Sequence, residues 1–443
     1  GDISDSGNLA ITGAATFITT ANNRSIILDQ SGNAFTSTVT MQAGNGSNAA
    51  FDDITFVDSA DVRLHSSAAS AGDLYINAST DLDVDGALII TATTGNITQG
   101  SELAVGALST FTTSDADATI TLNDADNTFT GAVALNTNGS SGNATIKNDR
   151  ALLFAASTVG GALIATATAG NITQNGALDI EGTTTLVTTG QGATVDLVTN
   201  GSGNAFTSEL LITTNETNSD KDAHVSIDGG TTNLIIGTST IDGNLALRSG
   251  GTITDTDSST VTVKGTLTAT TDASHRLITL NDLAVDGAFT LAPHGTGAVT
   301  IVNDAGLNLA ASTMGGTFSG TATTGDISDS GNLAITGAAT FITTANNRSI
   351  ILDQSGNAFT STVTMQAGNG SSAFNNITFV DSADVRLHSS AASAGDLYIN
   401  AGTDLAVGGN LSITATTGHI TQGGALDIEG TTTLVTLADN GTI

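Results

Sequence analysis

Residues 170–188 read GNITQNGALDIEGTTTLVT, and residues 418–436 read GHITQGGALDIEGTTTLVT, differing only where Asn171 and Asn175 become His419 and Gly423. Inside the stretch Leu178 and Ile180 flank Asp179, while Gly170, Gly176 and Gly182 punctuate it. Alternation of apolar and polar residues puts one set of side chains on one face of a strand. A helix would need apolar residues three and four apart, and no amphipathic stretch of that kind is found along the chain.

The same alternation extends outward in both directions. It recurs at Leu9 and Ile11, Ile26 and Leu28, Leu74 and Ile76, Ile120 and Leu122, Val133 and Leu135, and Val261 and Val263. Thr, Val and Ile are β-branched and suit strands. Clusters such as Ser31-Gly32-Asn33 and Asp228-Gly229-Gly230 supply turns between them. Short strands of roughly three to six residues are expected throughout.

Repetition dominates the chain. Residues 1–47 recur unchanged as 325–371, and residues 51–78 recur as 374–401 with only Asp52 and Asp53 becoming Asn375 and Asn376. The long period is therefore 324 residues, from Gly1 to Gly325. A shorter unit begins at each Gly-x-Ile-Thr/Ser phrase and divides the chain into 1–94, 95–169, 170–250, 251–324, 325–417 and 418–443. The long units exceed the short ones mainly through residues 79–94, about two strands and a turn. A solenoid absorbs such an insertion by adding a coil, whereas a closed sandwich does not. The expected fold is all-β: one continuous right-handed parallel β-helix (β-solenoid) over 1–443, with about 18–23 coils of roughly 19–25 residues. Handedness follows from the chirality of parallel connections. The alternative is a row of tandem Ig-like β-sandwiches. The lack of Trp and the presence of only Tyr75 and Tyr398 weigh against it.

Composition excludes several functions. Of 443 residues, 42 are acidic and 10 basic, giving a formal charge of -32. Nucleic acid is an improbable partner for such a chain, because phosphate binding needs clustered Lys and Arg. Cysteine is absent, which removes disulfides and thiolate metal sites. No apolar run approaches the roughly 18 residues of a membrane helix, so no membrane insertion is expected. Without an initiator Met or a leader, the sequence reads as a segment of a longer protein.

Three phrases recur: Gly-Asn/Asp-Ile-Thr/Ser, as at residues 95–98; Leu-x-Ile/Val-x-Gly, as at 9–13 and 178–182; and Asn-x-Phe, as at Asn33, Asn127, Asn204 and Asn357. Together they resemble the repeats of filamentous-haemagglutinin-type bacterial surface proteins. The resemblance covers essentially the whole chain, and its motifs are structural. It implies a right-handed β-helix, export to the bacterial cell surface, and adhesion or fibre building.

Candidate chemistry is sparse. Asp115 and Asp117, Asp124 and Asp126, and Asp255 and Asp257 are paired at turns, and Asp81, Asp83 and Asp85 alternate along one strand. Carboxylate pairs suit Ca²⁺, which takes six to eight oxygen ligands. The long repeat replaces Asp83 and Asp85 by Ala406 and Gly408, however, so a plain solvated acidic face is the preferred reading. The six histidines lie far apart in sequence and read as surface residues. Asn-x-Phe reads as a turn residue beside an apolar ladder. No catalytic residue and no obligatory cofactor stand out, and an enzyme such as a β-helical polysaccharide lyase or hydrolase is disfavoured. The expected function is that of a non-enzymatic rod or spacer in an extracellular adhesin or surface fibre. Its partners would be further repeats of the same chain or other copies of itself. The rival is an adhesin flank that binds a cell-surface or glycan receptor.

Overall fold

A computed structural model describes residues 1–44, 52–65, 73–76, 83–215, 220–368, 375–388, 396–399 and 406–443. Strands pair in parallel and stack as a β-solenoid of about 18 turns. No α-helix occurs among the described residues; one 3-10 turn spans Gly201–Gly203. Among the described residues, no helix is long and apolar enough to cross a membrane. Parallel pairing excludes the Ig-like alternative, whose sheets are antiparallel. The chain divides into two compact units, Gly1–Thr231 and Thr232–Ile443.

In the first unit, one broad face stacks Ile3–Ser4, Ile26–Leu28, Ile54–Asp58, Leu88–Ala92 and Ser109–Ala116, with Ile3, Ile26, Ile54, Leu88 and Ser109 in one column. The second broad face stacks Ile97–Gln99, Ile120–Leu122, Ala144–Asn148, Leu163–Ala167 and Thr184–Thr188. Short strands such as Ala10–Ile11 with Ala34–Phe35, and Asp83–Val84 with Ala104–Val105, complete the coil. Strand lengths follow the alternation: Leu163–Ala167 is buried at its first, third and fifth residues and open at the others.

The second unit reproduces the arrangement. Ile327, Ile350, Ile377 and Leu411 form the column equivalent to Ile3, Ile26, Ile54 and Leu88. The internal repeat thus places equivalent residues on equivalent rungs.

The columns inside the coil are mainly apolar, and aromatic rings from different sheets meet in the interior. Phe17, Phe35 and Phe56, from three different sheets, meet in the interior at 6.3 and 5.2 Å between ring centroids, and Phe341, Phe359 and Phe379 at 6.1 and 5.1 Å. Full burial of each such side chain contributes roughly 1.5–3 kcal/mol, so stability is spread along the stack. Gly320 sits where Ile301 and Phe341 stand in the neighbouring coils. A Cβ there would lie 2.7 Å from the Phe318 ring, which fills the space that the glycine leaves.

Coil length varies more than the sequence suggests. Ala144 pairs with Leu163, one coil of 19 residues, but Val62 pairs with Ile97, 35 residues on. The long coil carries an additional strand, Asp73–Ile76, which lies between Val39–Gln42 and Val62–His65 although it follows both in sequence. The second unit has the same feature, with Asp396–Ile399 between Val363–Gln366 and Val385–Leu387. Solenoids tolerate such insertions because each rung needs only its two neighbours.

Candidate functional site

The recurring phrases meet at one point in the coil. Gln99 closes a Gly-x-Ile-Thr phrase, and its side-chain amide exchanges hydrogen bonds with the Asn127 amide at 2.6 and 3.0 Å. Asn127 also accepts the Leu103 N–H at 2.9 Å. Gln174, Asn204 and Leu178 repeat this arrangement, with 2.9 and 3.1 Å between the amides and 2.9 Å to Leu178. Where the phrase ends in Asp, the carboxylate accepts instead: Asn33 Nδ2 donates to Asp5 at 2.7 Å and Asn357 Nδ2 to Asp329 at 2.6 Å. The same asparagines accept the N–H of Leu9 and Leu333. Asn33, Asn127 and Asn357 are fully buried and Asn204 nearly so. They are buried cross-links between coils, each satisfying donors and acceptors that water cannot reach. By sequence alone these asparagines read as turn residues. The detectable signal was the recurrence of Gln or Asp 28 to 30 residues before each one.

The phenylalanine of the phrase is held from the next coil. Its N–H donates to Asp58 from Phe35 at 3.0 Å, to Asn148 from Phe129 at 2.8 Å, and to Asp381 from Phe359 at 3.1 Å. Burial pushes the Asp58 carboxyl up and that of Asp381 up to about 6.

Corners of the coil use the same device on the outside. Asn96 N–H donates to Asp61 at 2.6 Å, and Asn96 in turn accepts the Thr119 N–H at 2.8 Å. In the second unit Asp384, His419 and Thr442 stand in these places, and His419 Nδ1 takes over as acceptor at 3.1 Å. That assignment requires an Nδ1 without a proton. Asp53 accepts the Ala87 N–H at 2.8 Å, and its copy Asn376 accepts the Asn410 N–H at 2.8 Å. An oxygen acceptor suffices at this corner, so the charge drifts between copies while the geometry stays.

Several of the acidic candidates belong to this system. Asp255 accepts the N–H groups of Asn281 and Asp282, both at 2.8 Å, and burial pushes its carboxyl up. Asp117, at φ 65°, accepts the Ser141 N–H at 2.8 Å. Asp124 accepts Asp126 N–H at 3.1 Å inside its own turn. Asp115, Asp126 and Asp257 are exposed. Asp83 and Asp85 flank the buried Val84 on the outer face, and burial followed by the Asp85 charge pushes the Asp83 carboxyl up. Asp81 lies outside the described residues. Among the described residues, no three or more His, Asp or Glu side chains gather as a shared donor set.

Two further constellations were not legible in the sequence. The inserted strand brings Asp73 beside Arg63 at 3.2 Å and under the Tyr75 hydroxyl at 3.5 Å, with the His65 and Tyr75 rings 6.2 Å apart. Arg386, Asp396, Tyr398 and His388 repeat it with 3.4, 3.4 and 6.0 Å. The Asp73 and Asp396 side chains are only 1% exposed, so each arginine neutralises a buried charge and fixes the strand. Burial, with the adjoining carboxylate, pushes both tyrosine hydroxyls up. In the second unit, His275 and His294 come to adjacent coils at one exposed corner, where their rings bond the hydroxyls of Thr296 and Ser274.

Six stretches of the chain, residues 1–42, 52–136, 141–213, 222–292, 296–366 and 375–443, match the family described as Repeats of unknown function (DUF5649). The chain belongs to this family. No curated protein and no solved structure matches it. In these DUF5649 repeats the buried asparagines and their Gln or Asp partners join one coil to the next. The arrangement described so far holds a solenoid together.

Proposed function

We propose that this DUF5649 chain is a non-enzymatic, cofactor-free spacer within an extracellular bacterial surface fibre or adhesin of the filamentous-haemagglutinin type. Its immediate partners are flanking repeats of the same long chain. The observation that carries this reading is the equivalence of rungs between internal copies, from Ile3, Ile26, Ile54 and Leu88 to Ile327, Ile350, Ile377 and Leu411. A further copy would add coils and reach without altering the core, as expected of a length-setting element. The sequence resemblance supports the extracellular setting, and the acidic excess supports a chain that repels its copies and stays dispersed.

The test is to insert or delete one 324-residue repeat in the parent protein and image cells by electron microscopy with a tagged tip. Tip distance should change by about 4.8 Å for every coil added or removed. A tip distance that stays constant, or a protein that never reaches the cell surface, would refute the reading.

A further inference from the structure

Charge is unevenly placed on the second unit. One broad face stacks Ile253–Asp255, Ile278–Val285, Val299–Asn303, Phe318–Ala322, Ala339–Thr343 and Val363–Gln366. Its outward residues Thr254, Thr279, Thr300, Ser319, Thr340 and Thr364 form one column in register, with Val302, Thr321, Ile342 and Gln366 in the column beside it. The other face stacks Leu307–Leu309, Ile327–Asp329, Ile350–Leu352, Ile377–Asp381, Leu411–Ala415 and Thr432–Thr436, with Asn308, Ser328, Ile351, Thr378, Ser412 and Thr433 in its outward column. No member of these columns is charged. Between residues 299 and 366 the charges are Asp304, Asp326, Asp329, Arg348 and Asp353; Asp329 is buried and the others lie in the turns between strands. Asp255 and Asp282 sit at the register shift beyond Leu280 and accept backbone N–H groups there. The arginines on the faces, Arg248 and Arg386, are each tied to an aspartate, Asp272 at 2.8 Å and Asp396 at 3.4 Å.

The two faces are alike for a reason that lies in the repeat. The phrase strand at Ile253 opens on one face, and three rungs later, after Phe318, the next phrase strand at Ile327 opens on the other. Three rungs on from Ile327, after Leu411, the phrase strand at Ile420 is back on the first. Each unit therefore makes three and a half turns, and successive units present the same strands to opposite sheets. The Thr and Ser that decorate one face recur on the other.

We propose that these faces are docking surfaces for a second copy of the chain, laid face to face, and that copies stack on both sides into bundles. Interface cores are poor in charge, and Thr and Ser hydroxyls bond hydroxyls of the same kind while their neighbours Val302 and Ile342 pack, so each face is complementary to its own copy. Six rungs about 4.8 Å apart and strands of about five residues cover about 500 Å² per copy, or about 1,000 Å² per pair, the lower limit of a specific interface. One patch thus binds weakly, and successive repeats add to it. Two like faces on one molecule leave a free face after every addition, so growth does not close at a dimer. The acidic turns oppose this at low ionic strength, since stacked sheets approach to about 10 Å, and salt removes the opposition. The inference deepens the fibre reading by naming what its flank meets, and the tip-distance experiment tests that reading separately.

The test is sedimentation velocity and small-angle X-ray scattering on the full chain while sodium chloride is raised from about 0.01 M to about 1 M, which shortens the screening length from about 30 Å to about 3 Å. The expected result is a monomer at low salt and a ladder of species beyond the dimer at high salt, with a growing cross-section. Thr300→Asp/Thr340→Asp places charge on one face and should stop growth at the dimer, because the other face still pairs. Adding Ile351→Asp/Ser412→Asp should leave a monomer at every salt concentration. Asp304→Asn, which removes a charge from a turn, should move the onset of association to lower salt. Melting curves at low salt show whether the variants are folded, and the wild-type cross-section tests the proposal without them. A wild-type chain that stays monomeric, assembly that lengthens without thickening, or undiminished association of the folded fourfold variant would each overturn the proposal.

Discussion

Asp381 ends the strand Ile377–Asp381 at 3% exposure, where its carboxylate accepts the Phe359 N–H at 3.1 Å. Burial outweighs this and the bonds from Ser382 and Ala383, raising the pKa from 3.8 to about 6. The folded chain thus binds the Asp381 proton more tightly than the unfolded chain does. Between pH 3.8 and about 6 the folded state carries more protons, so stability falls as pH rises through that window and levels off above it. A shift of this size corresponds to about 3 kcal/mol of destabilisation at neutral pH. Asn148 shows that a neutral amide serves the same purpose, accepting the Phe129 N–H at 2.8 Å. Asp381→Asn should therefore stabilise the chain at pH 7.5 by up to about 3 kcal/mol and confer little at pH 4. Urea unfolding of both proteins from pH 4 to 8, followed by circular dichroism, reads the difference directly. A gain that does not vary with pH, or a loss of stability at pH 7.5, would refute the reasoning. Asp58 occupies the same place in the first unit and is raised for the same reason, so Asp58→Asn should behave in the same direction.

Other substitutions test the coil-joining contacts. Asn127→Ala strands the buried N–H of Leu103 and the Gln99 side chain, and should cost about 2–4 kcal/mol in urea denaturation. Asp53→Asn keeps the acceptor for Ala87 N–H, as Asn376 does for Asn410, and should move the midpoint by less than about 0.5 kcal/mol. Thr184 lies in the core between Leu163 and Leu210 with its hydroxyl unpaired, so Thr184→Val should raise the melting temperature, by about 1 kcal/mol of stability. Gly182→Ala would put a Cβ 2.5 Å from the Gly161 carbonyl carbon, and its melting temperature should fall sharply.

The broad features were legible because they depend on local pattern. Alternation at Leu178 and Ile180 foretold a strand with both residues buried, and Leu178–Ile180 is one. Asn-x-Phe foretold an apolar ladder, and Phe35 pairs with Ile11, Phe129 with Val105 and Phe359 with Ile335 on adjoining coils. The insertion at Asp73–Ile76 was not legible. Its residues alternate like any other strand, and nothing local says that it pairs with an earlier rung before a later one. For the same reason Arg63, Asp73 and Tyr75 gave no sign of meeting.

By itself the sequence determined strand character, repeat length, the inward ladders and the lack of thiol chemistry, since each follows from residue type and short-range order. Only the tertiary structure decided which groups touch across coils: Gln99 with Asn127, Asp58 with the Phe35 N–H, Arg63 with Asp73. Such contacts lie one coil apart, and the coil runs from 19 residues between Ala144 and Leu163 to 35 between Val62 and Ile97. A partner's distance along the chain therefore depends on how many residues each turn absorbs, and packing in space sets that number.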